Sequence, residues 1–213
     1  MLNYGLLCAQ KALMKNDVRE GETMSQDNWC EHITGLYDLL KKVSFRSKRA
    51  GEISADKGFR QWEALTEALR RRRGTIYLIG NGASASMASH MAADLAKNAR
   101  LHTQVFSDLS LVTAISNDMG YEHVFSEPLS RRAKRGDMLV AISSSGRSPN
   151  ILAAVNVANR LKLTVVTLSA MDAKNPLRRS GTLNIYVPAK VYGYAESCHA
   201  AILHHWMDTI EGY

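Results

Sequence analysis

Cysteine and long apolar runs are scarce in this chain. Among its 213 residues there are three cysteines, Cys8, Cys30 and Cys198, and no two of them form a CxxC pair. So few thiols exclude a disulfide framework, and they indicate a reducing compartment and ordinary thiols rather than metal ligands. No apolar run is long enough to cross a bilayer, so we expect no membrane partner.

The N-terminal residues also lack the pattern of a cleavable signal. The stretch MLNYGLLCAQKALMKNDVRE interrupts its short apolar segment with polar and charged residues, which a signal peptide avoids. The expected location is therefore the cytoplasm. With 46% apolar residues, the chain can bury one sizeable core. We expect an N-terminal extension over residues 1–27 and a single domain over residues 28–213.

The net charge of +7 comes largely from three basic runs, KKVSFRSKR at 41–49, RRRR at 70–73 and RRAKR at 131–135. Basic runs can mark nucleic-acid binding, but no aromatic-rich or recognition-helix pattern accompanies these. We expect them at helix ends, where cations complement the helix dipole. A nucleic-acid partner is therefore not expected.

Short apolar strands alternate with helices over most of the chain. Apolar spacing predicts two N-terminal helices, over residues 29–43 and 54–72. Five strands follow, in TIYLIG, TQVFS, DMLVAIS, LTVVTLSA and TLNIYVPA, with helices between them and a last helix over residues 194–211. This alternation predicts an α/β fold with a doubly wound, mainly parallel five-stranded sheet. Ligands should bind beyond the carboxyl ends of its strands.

Two strand-to-helix loops carry serines and glycines at that position. The first, IGNGASAS, covers residues 79–86, and the second, SSSGRS, covers residues 143–148. Hydroxyls and backbone N–H groups at such loops suit an anion, and a phosphate is the natural occupant. The alternative is that the serines only cap the helices that follow, because serine is a preferred N-cap residue.

The first loop also contains a GxGxxA pattern, at Gly80, Gly82 and Ala85. With Asp108 near the end of the next strand, this pattern also fits a dinucleotide site. A dinucleotide site leaves the second serine loop unexplained, whereas one phosphate held from two sides uses both loops. The sequence therefore favours a phosphate ester and predicts no nucleotide cofactor.

Four motifs resemble the sugar isomerase (SIS) domain family, and within it the phosphoheptose isomerases. They are GNGASASMASHMAADL, AISNDMGYEHVF, GDMLVAISSSGRSPNILAAV and GYAESCHAAILHHWMDTIE, and the resemblance runs from residue 76 to the C-terminus. It implies a flavodoxin-like three-layer fold with N-terminal helices. It also implies isomerisation of an aldose and a ketose phosphate through an enediol. The usual reaction converts sedoheptulose 7-phosphate to D-glycero-D-manno-heptose 7-phosphate, for lipopolysaccharide or capsule.

By this resemblance, Asp94 and His204 form the acid–base pair. The resemblance also assigns the substrate-binding residues, which are Asn81, Gly82, Ser84, Asp118, Ser143, Ser144, Ser145, Ser148 and Glu196. Position 94 departs from the family pattern, because an aspartate replaces a glutamate there. Position 196 departs as well, with a glutamate in place of a glutamine. The shorter side chain at position 94 changes the reach of the carbon base.

The residues suggest such a site without the family too. His90 and Asp94 are spaced i, i+4 on one helix, and Glu196 and His204 lie about two turns apart on the last helix. The alternative is that His90 packs in a helix interface while Glu196 and His204 face solvent. Imidazole and carboxylate groups also suit zinc. Some family members bind zinc between these helices, so zinc is a candidate ligand of His90, Asp94, Glu196 and His204.

The resemblance also bears on assembly and on alternative functions. SIS domains commonly form homotetramers or homodimers through N-terminal helices, and if sites are shared we expect His199 or His205 to reach a neighbouring chain. Some relatives are non-catalytic modules that bind sugar phosphates or a protein such as the replication initiator. A nicotinamide-dependent oxidoreductase is the other alternative. A carboxylate at Asp94 together with His204 favours the isomerase.

Overall fold

The computed structural model describes residues 29–212. The chain divides into two compact units, residues 1–38 and 39–213. The extension expected over residues 1–27 lies outside the described residues, so its boundary stays a prediction. Of the first unit, the structure describes the beginning of helix α1 (Trp29–Lys41). None of the helices within residues 29–212 is apolar over a stretch long enough to span a bilayer.

The described part of the second unit is built on one mixed sheet. Its strands are β1 (Ser44–Ser47), β2 (Gly51–Ile53), β3 (Thr75–Gly80), β4 (His102–Val105), β5 (Met138–Ser143), β6 (Thr164–Ser169) and β7 (Leu183–Tyr186). They lie in the order β2-β1-β7-β6-β5-β3-β4. The strands from β3 to β7 pair in parallel, which confirms the predicted doubly wound arrangement.

The predicted number of five strands was wrong, because the sheet has seven. The hairpin of β1 and β2 adds two antiparallel strands at the β7 edge, with Phe45 opposite Ile185. Phe45 is fully buried, but one apolar residue in a four-residue strand leaves no periodic pattern to detect. All three basic runs begin in the last turns of helices, as expected, and the run at 41–49 continues through β1.

Six helices accompany the sheet in the described part of the second unit. They are α2 (Ala55–Arg71), α3 (Ala83–Lys97), α4 (Leu109–Met119), α5 (Ser126–Arg132), α6 (Pro149–Arg160) and α7 (Tyr192–Glu211). Their ends lie close to those predicted, because capping residues mark several of them. The Ser54 hydroxyl caps α2, and Asp108 caps α4 by accepting a hydrogen bond from the Leu111 N–H (2.9 Å). Asp108, the acidic residue that a dinucleotide site would use, therefore serves as a helix cap.

Strand side chains alternate between the two faces of the sheet. Tyr77 and Ile79 of β3 belong to a buried cluster that includes side chains of α4, α5 and α6. Leu78 between them is also buried and points to the other face, where α2 and α3 contact α7. Both faces are therefore covered by helices, as a buried parallel sheet requires.

Two tryptophans pack α2 against α7. The rings of Trp62 and Trp206 stack with centroids 4.1 Å apart at an interplanar angle of 12°. The Trp206 Nε1–H donates to Thr66 Oγ1 (3.1 Å), so the buried indole keeps a partner for its polar atom. This contact holds in place the last helix, which carries His204.

Strand order reverses between β3 and β5. These strands are neighbours in the sheet, although β4 lies between them in the chain and on the far side of β3. In open parallel sheets, ligands bind in the crevice that such a reversal leaves at the carboxyl ends of the strands. The loops at 79–86 and 143–148 follow these two strands, so the fold brings the predicted phosphate loops to the same crevice.

Candidate functional site

Three serine hydroxyls converge after β5. Ser143 Oγ lies 3.2 Å from Ser148 Oγ and 3.5 Å from Ser145 Oγ. Ser148 is the N-cap residue of α6, yet its side chain makes no capping hydrogen bond. The alternative, in which the serines only cap helices, requires a capping hydrogen bond that Ser148 does not make. The buried Ser144 Oγ also has no partner among the described residues. Such free donors at a helix N-terminus suit an anion.

The connection between β6 and β7 supports this loop from behind. Gly146 has φ +62°, and a Cβ at this position would overlap the Asn175 side chain, so both backbone and space require glycine. The Ala170 N–H donates to the Ser144 carbonyl (2.9 Å), and the Leu177 N–H donates to the Gly146 carbonyl (3.3 Å). Tertiary contacts therefore set the shape in which the hydroxyls converge.

Arg147 adds a positive charge to the serine loop. Its Nη2 lies 2.6 Å from Asp172 Oδ2, and the Lys174 backbone N–H donates to Asp172 Oδ1 (2.8 Å). The Lys174 hydrogen bond and the Arg147 guanidinium hold the pKa of Asp172 below its ordinary value. Arg147 is thus directed to Asp172, and the pair ties the serine loop to the β6–β7 connection.

The loop after β3 brings α3 close to the sheet. A Cβ on Gly80 would overlap the backbone of Ser84, so only glycine lets the helix begin this near to the strand. Gly82 has φ +54° and occupies the N-cap position of α3 without a side-chain cap. Ser84 is buried in the first turn. A second helix therefore begins at the crevice without a side-chain cap.

Hydrogen bonds between Asn81 and Asn150 connect the two loops. Sequence reasoning missed Asn150, which is buried, and Tyr121, whose hydroxyl donates to Asn81 Oδ1 (3.2 Å). The only signal for Asn150 is a polar residue on the buried side of an otherwise apolar helix. Its pairing with a residue far away in the chain carries no sequence pattern.

A cavity of about 140 Å³ lies beside the first loop. Its lining is mostly apolar, with Phe106 and Phe125 among the side chains, and includes Asn81 and Tyr121 but no residue of the serine loop. An apolar hollow does not suit a phosphate. The serine hydroxyls therefore suit an anion better than the cavity does.

A second cluster gathers His90, Asp94 and His204. His90 Nε2 lies 3.3 Å from Asp94 Oδ2, and the two imidazole rings have centroids 5.4 Å apart. One ligand atom from each of the three residues lies within 4.8 Å of the others. Asp94 and His204 are half-buried, and His90 is exposed rather than packed in a helix interface. Helices α3 and α7 thus meet through groups that can exchange protons.

The donor set of this cluster fits zinc, because two imidazoles and a carboxylate are common zinc ligands. Glu196 is not part of the group that the structure brings together in residues 29–212, so its roles as a ligand and as a substrate contact stay predictions. Asp118 is exposed at the end of α4, where the Asn117 side chain donates to it (2.8 Å). Its contact with sugar hydroxyls also stays a prediction.

Ser84 of the first loop and Asp94 of the histidine cluster lie at different heights along α3. Ser84 is in the first turn and Asp94 near the last, which corresponds to a rise of about 15 Å. A ligand that contacts Ser84 therefore has to bring only its far end toward Asp94 and His204.

His199 is a buried imidazole between the sheet and α7. It is fully buried, and because a carbonyl only accepts, its Nε2–H donates to Ser169 O (3.3 Å). Its Nδ1 is buried without a partner. Burial lowers the pKa of His199 to about 4, partly offset by the bond to Ser169. The expectation that His199 reaches a neighbouring chain was therefore wrong. His205 is exposed and packs edge-on against Phe59, and its contact with a neighbouring chain stays a prediction.

Known proteins are similar to this chain in sequence and in fold. The sequence model of the SIS domain family matches residues 50–170. A phosphoheptose isomerase of Helicobacter pylori is 32% identical over 190 residues, which cover 82% of this chain and 95% of the relative. One of Coxiella burnetii is 33% identical over 177 residues, with 79% and 88% covered. The solved structure of a phosphoheptose isomerase from Neisseria gonorrhoeae has a TM-score of 0.72 at 26% identity, covering 85% of this chain and 96% of that one.

Proposed function

The chain belongs to the SIS domain family and is an isomerase, and we propose that it interconverts sedoheptulose 7-phosphate and D-glycero-D-manno-heptose 7-phosphate. The relatives from Helicobacter pylori and Coxiella burnetii are named for this class of reaction. The observation that carries the proposal is the convergence of the Ser143, Ser145 and Ser148 hydroxyls at the uncapped N-terminus of α6. We place the phosphate of the sugar there.

The phosphate has donors on both sides of the crevice in this proposal. The serine loop supplies hydroxyls, including the unpartnered Ser144 Oγ, and the uncapped start of α3 supplies backbone N–H groups near Gly82. The Ser84 N–H already donates to the Asn81 carbonyl (3.0 Å), so Ser84 contributes its hydroxyl. Preformed donors of this kind bind a phosphate without a large cost of loop ordering. The sugar then extends along α3 toward the cluster of His90, Asp94 and His204.

The chemistry needs two proton carriers at the carbonyl end of the sugar. Asp94 takes a proton from C1 of the ketose and returns it to C2, while His204 moves a proton from O1 to O2. One hydrogen therefore changes carbon and one changes oxygen, and no electron acceptor is consumed. His90, 3.3 Å from the Asp94 carboxylate, orients that group.

The same cluster is the place we propose for zinc. His90, Asp94 and His204 would hold the ion, with Glu196 as a fourth ligand. Bound zinc would polarise the sugar carbonyl as a Lewis acid. Metal binding and proton transfer compete for the same lone pairs, because a ligand atom on a metal is not free to take a proton.

The isomerase proposal is tested by proton NMR of the purified protein with sedoheptulose 7-phosphate in deuterated water. We expect the aldose phosphate to form and deuterium to enter at the reacting carbons. Both should vanish in Asp94→Asn and persist in Asp56→Asn, which removes an exposed carboxylate from the start of α2. Binding of the sugar phosphate without any turnover by the wild-type protein would point to a non-catalytic module instead.

Zinc is tested separately by elemental analysis of protein dialysed against trace zinc. We expect about one zinc per chain in the wild type, and its loss in His90→Asn, because that change removes one of the three grouped ligands. His205→Asn is the matched control, since His205 is an exposed imidazole on α7 outside the cluster. Equal zinc content in both variants would exclude the cluster as the metal site.

A further inference from the structure

Asn81 and Asn150 form a reciprocal pair of side-chain hydrogen bonds. Asn81 Nδ2 donates to Asn150 Oδ1 (3.0 Å), and Asn150 Nδ2 donates to Asn81 Oδ1 (2.9 Å). Asn81 directly follows β3, and Asn150 lies in the first turn of α6 after the serine loop. The two bonds, here called the amide lock, therefore cross the crevice where the strand order reverses.

Both carbonyl oxygens of the amide lock are saturated. Asn81 Oδ1 accepts a further hydrogen bond from the Tyr121 hydroxyl (3.2 Å), and Asn150 Oδ1 accepts one from the Ile151 N–H (2.9 Å). An amide oxygen has two lone pairs, so neither oxygen has one left to accept from a sugar hydroxyl, while each Nδ2 keeps a second N–H. Asn150 is only 2% exposed and cannot contact a bound sugar directly.

We infer that Asn150 is a positioning residue that sets the distance between the two phosphate loops, and that Asn81 acts chiefly as its partner in the amide lock. The inference rests on the proposed function, because it takes both loops to hold one phosphate. Donors on opposite walls of a crevice grip one phosphate only if the walls keep a fixed spacing, and a small misplacement is costly. Tyr121 braces the lock from the turn that follows α4.

The test is a double-mutant cycle on phosphate affinity, measured by calorimetry with inorganic phosphate. Asn150→Ala should weaken phosphate binding about tenfold or more, since it removes both bonds of the lock. Asn81→Ala should cost a similar factor. The double variant should be no weaker than either single one, because both changes break the same unit.

Asn184→Ala is the matched control for lost stability. Asn184 is buried to the same 2% exposure, and its amide donates to the Arg46 and Gly181 carbonyls, away from the loops. We expect Asn184→Ala to lower the melting temperature while its dissociation constant for phosphate stays at the wild-type value. Tyr121 is exposed, so Tyr121→Phe leaves the core intact. Because it removes the hydroxyl that donates to Asn81, it should weaken phosphate binding about threefold.

Steady-state kinetics give a second readout. The KM of Asn150→Ala for the sugar phosphate should rise with its phosphate dissociation constant, with kcat changed far less, because the lock does not touch Asp94 or His204. Unchanged phosphate affinity in Asn150→Ala, or additive losses in the cycle, would overturn the inference and leave the isomerase standing. A wild-type protein that binds neither phosphate nor sugar phosphate would remove the proposed function itself.

Discussion

A single side chain illustrates how burial changes the chemistry of a residue in this fold. His199 lies five residues before His204 on α7, yet it is fully buried, whereas His204 keeps part of its surface exposed. The unpartnered Nδ1 of His199 is the atom that would take the proton, and no acceptor stabilises the charged ring there. His199 is therefore a neutral structural group, and the proposed proton-transfer role is assigned to His204 and not to His199.

Stability should consequently fall in mild acid. The pKa of His199 is about 4 in the fold against an ordinary value near 6.5, so between these pH values the unfolded chain binds more protons. The neutral ring contributes fully above the ordinary pKa, and its contribution is lost as pH falls toward 4. We expect about 2 kcal/mol of the free energy of unfolding to be lost through His199 between pH 7 and pH 5.

Urea denaturation at both pH values measures this loss. His199→Gln, which has no titrating ring, should show a smaller difference between pH 7 and pH 5 than the wild type. His205→Gln should behave like the wild type, because His205 is exposed. The same pH dependence in all three proteins would contradict the assignment.

At the scale of elements, the serine loop depends on packing between two connections. The turn at Gly146 combines a positive φ with contact to Asn175, whose own Nδ2 donates to the Asp172 carbonyl (2.8 Å). The loop after β5 and the connection after β6 therefore form one unit. The loop after β5 provides the hydroxyl groups, and the connection after β6 holds that loop in place.

Gly146→Ala should break this unit. The left-handed backbone lowers the free energy of unfolding of the alanine variant by about 1–2 kcal/mol, and the overlap with Asn175 lowers it by roughly 1–3 kcal/mol more. Gly51→Ala is the matched control, since Gly51 has φ +73° but no atom within 4 Å of the added Cβ. Urea denaturation should show the larger loss for Gly146→Ala; equal losses would mean that Asn175 moves aside at no cost.

At the scale of the whole molecule, one chain brings the histidine cluster together by itself. Helix α3 follows β3, and α7 is the last helix of the described chain, yet His90, Asp94 and His204 lie within 4.8 Å. The contact between α3 and α7 is therefore what assembles the proposed acid–base pair. No neighbouring chain is needed to join Asp94 to His204.

Mixed chains test this arrangement. Asp94→Asn and His204→Ala chains, denatured together and refolded as a mixture, should recover no activity above that of each variant alone, because every cluster carries one defect. A mixture of wild-type and His204→Ala chains, refolded in the same way, controls for the yield of refolding. Recovered activity in the mixture of the two variants would show that the pair forms between chains.

Local patterns along the chain predicted the parallel strands, the helices and the serine-bearing loops between them. Apolar runs, caps such as Ser54 and Asp108, and the serines after β5 are local features, and local features decide where strands and helices begin and end. The spacing of His90 and Asp94 likewise placed them on one helix face. These predictions needed no knowledge of contacts between distant segments.

Contacts between residues far apart in the chain could be identified only from the folded structure. The hairpin β1–β2 joined the sheet through pairing with β7, the amide lock joined Asn81 to Asn150, and Gly146 was matched to Asn175. Glu196, His199 and His204 lie on the same helix, α7. Of these three residues, only His204 joins the group with His90 and Asp94, while His199 is buried. The physical reason is that burial and contact depend on how elements pack against one another, and a pattern within one segment does not contain the position of its partner.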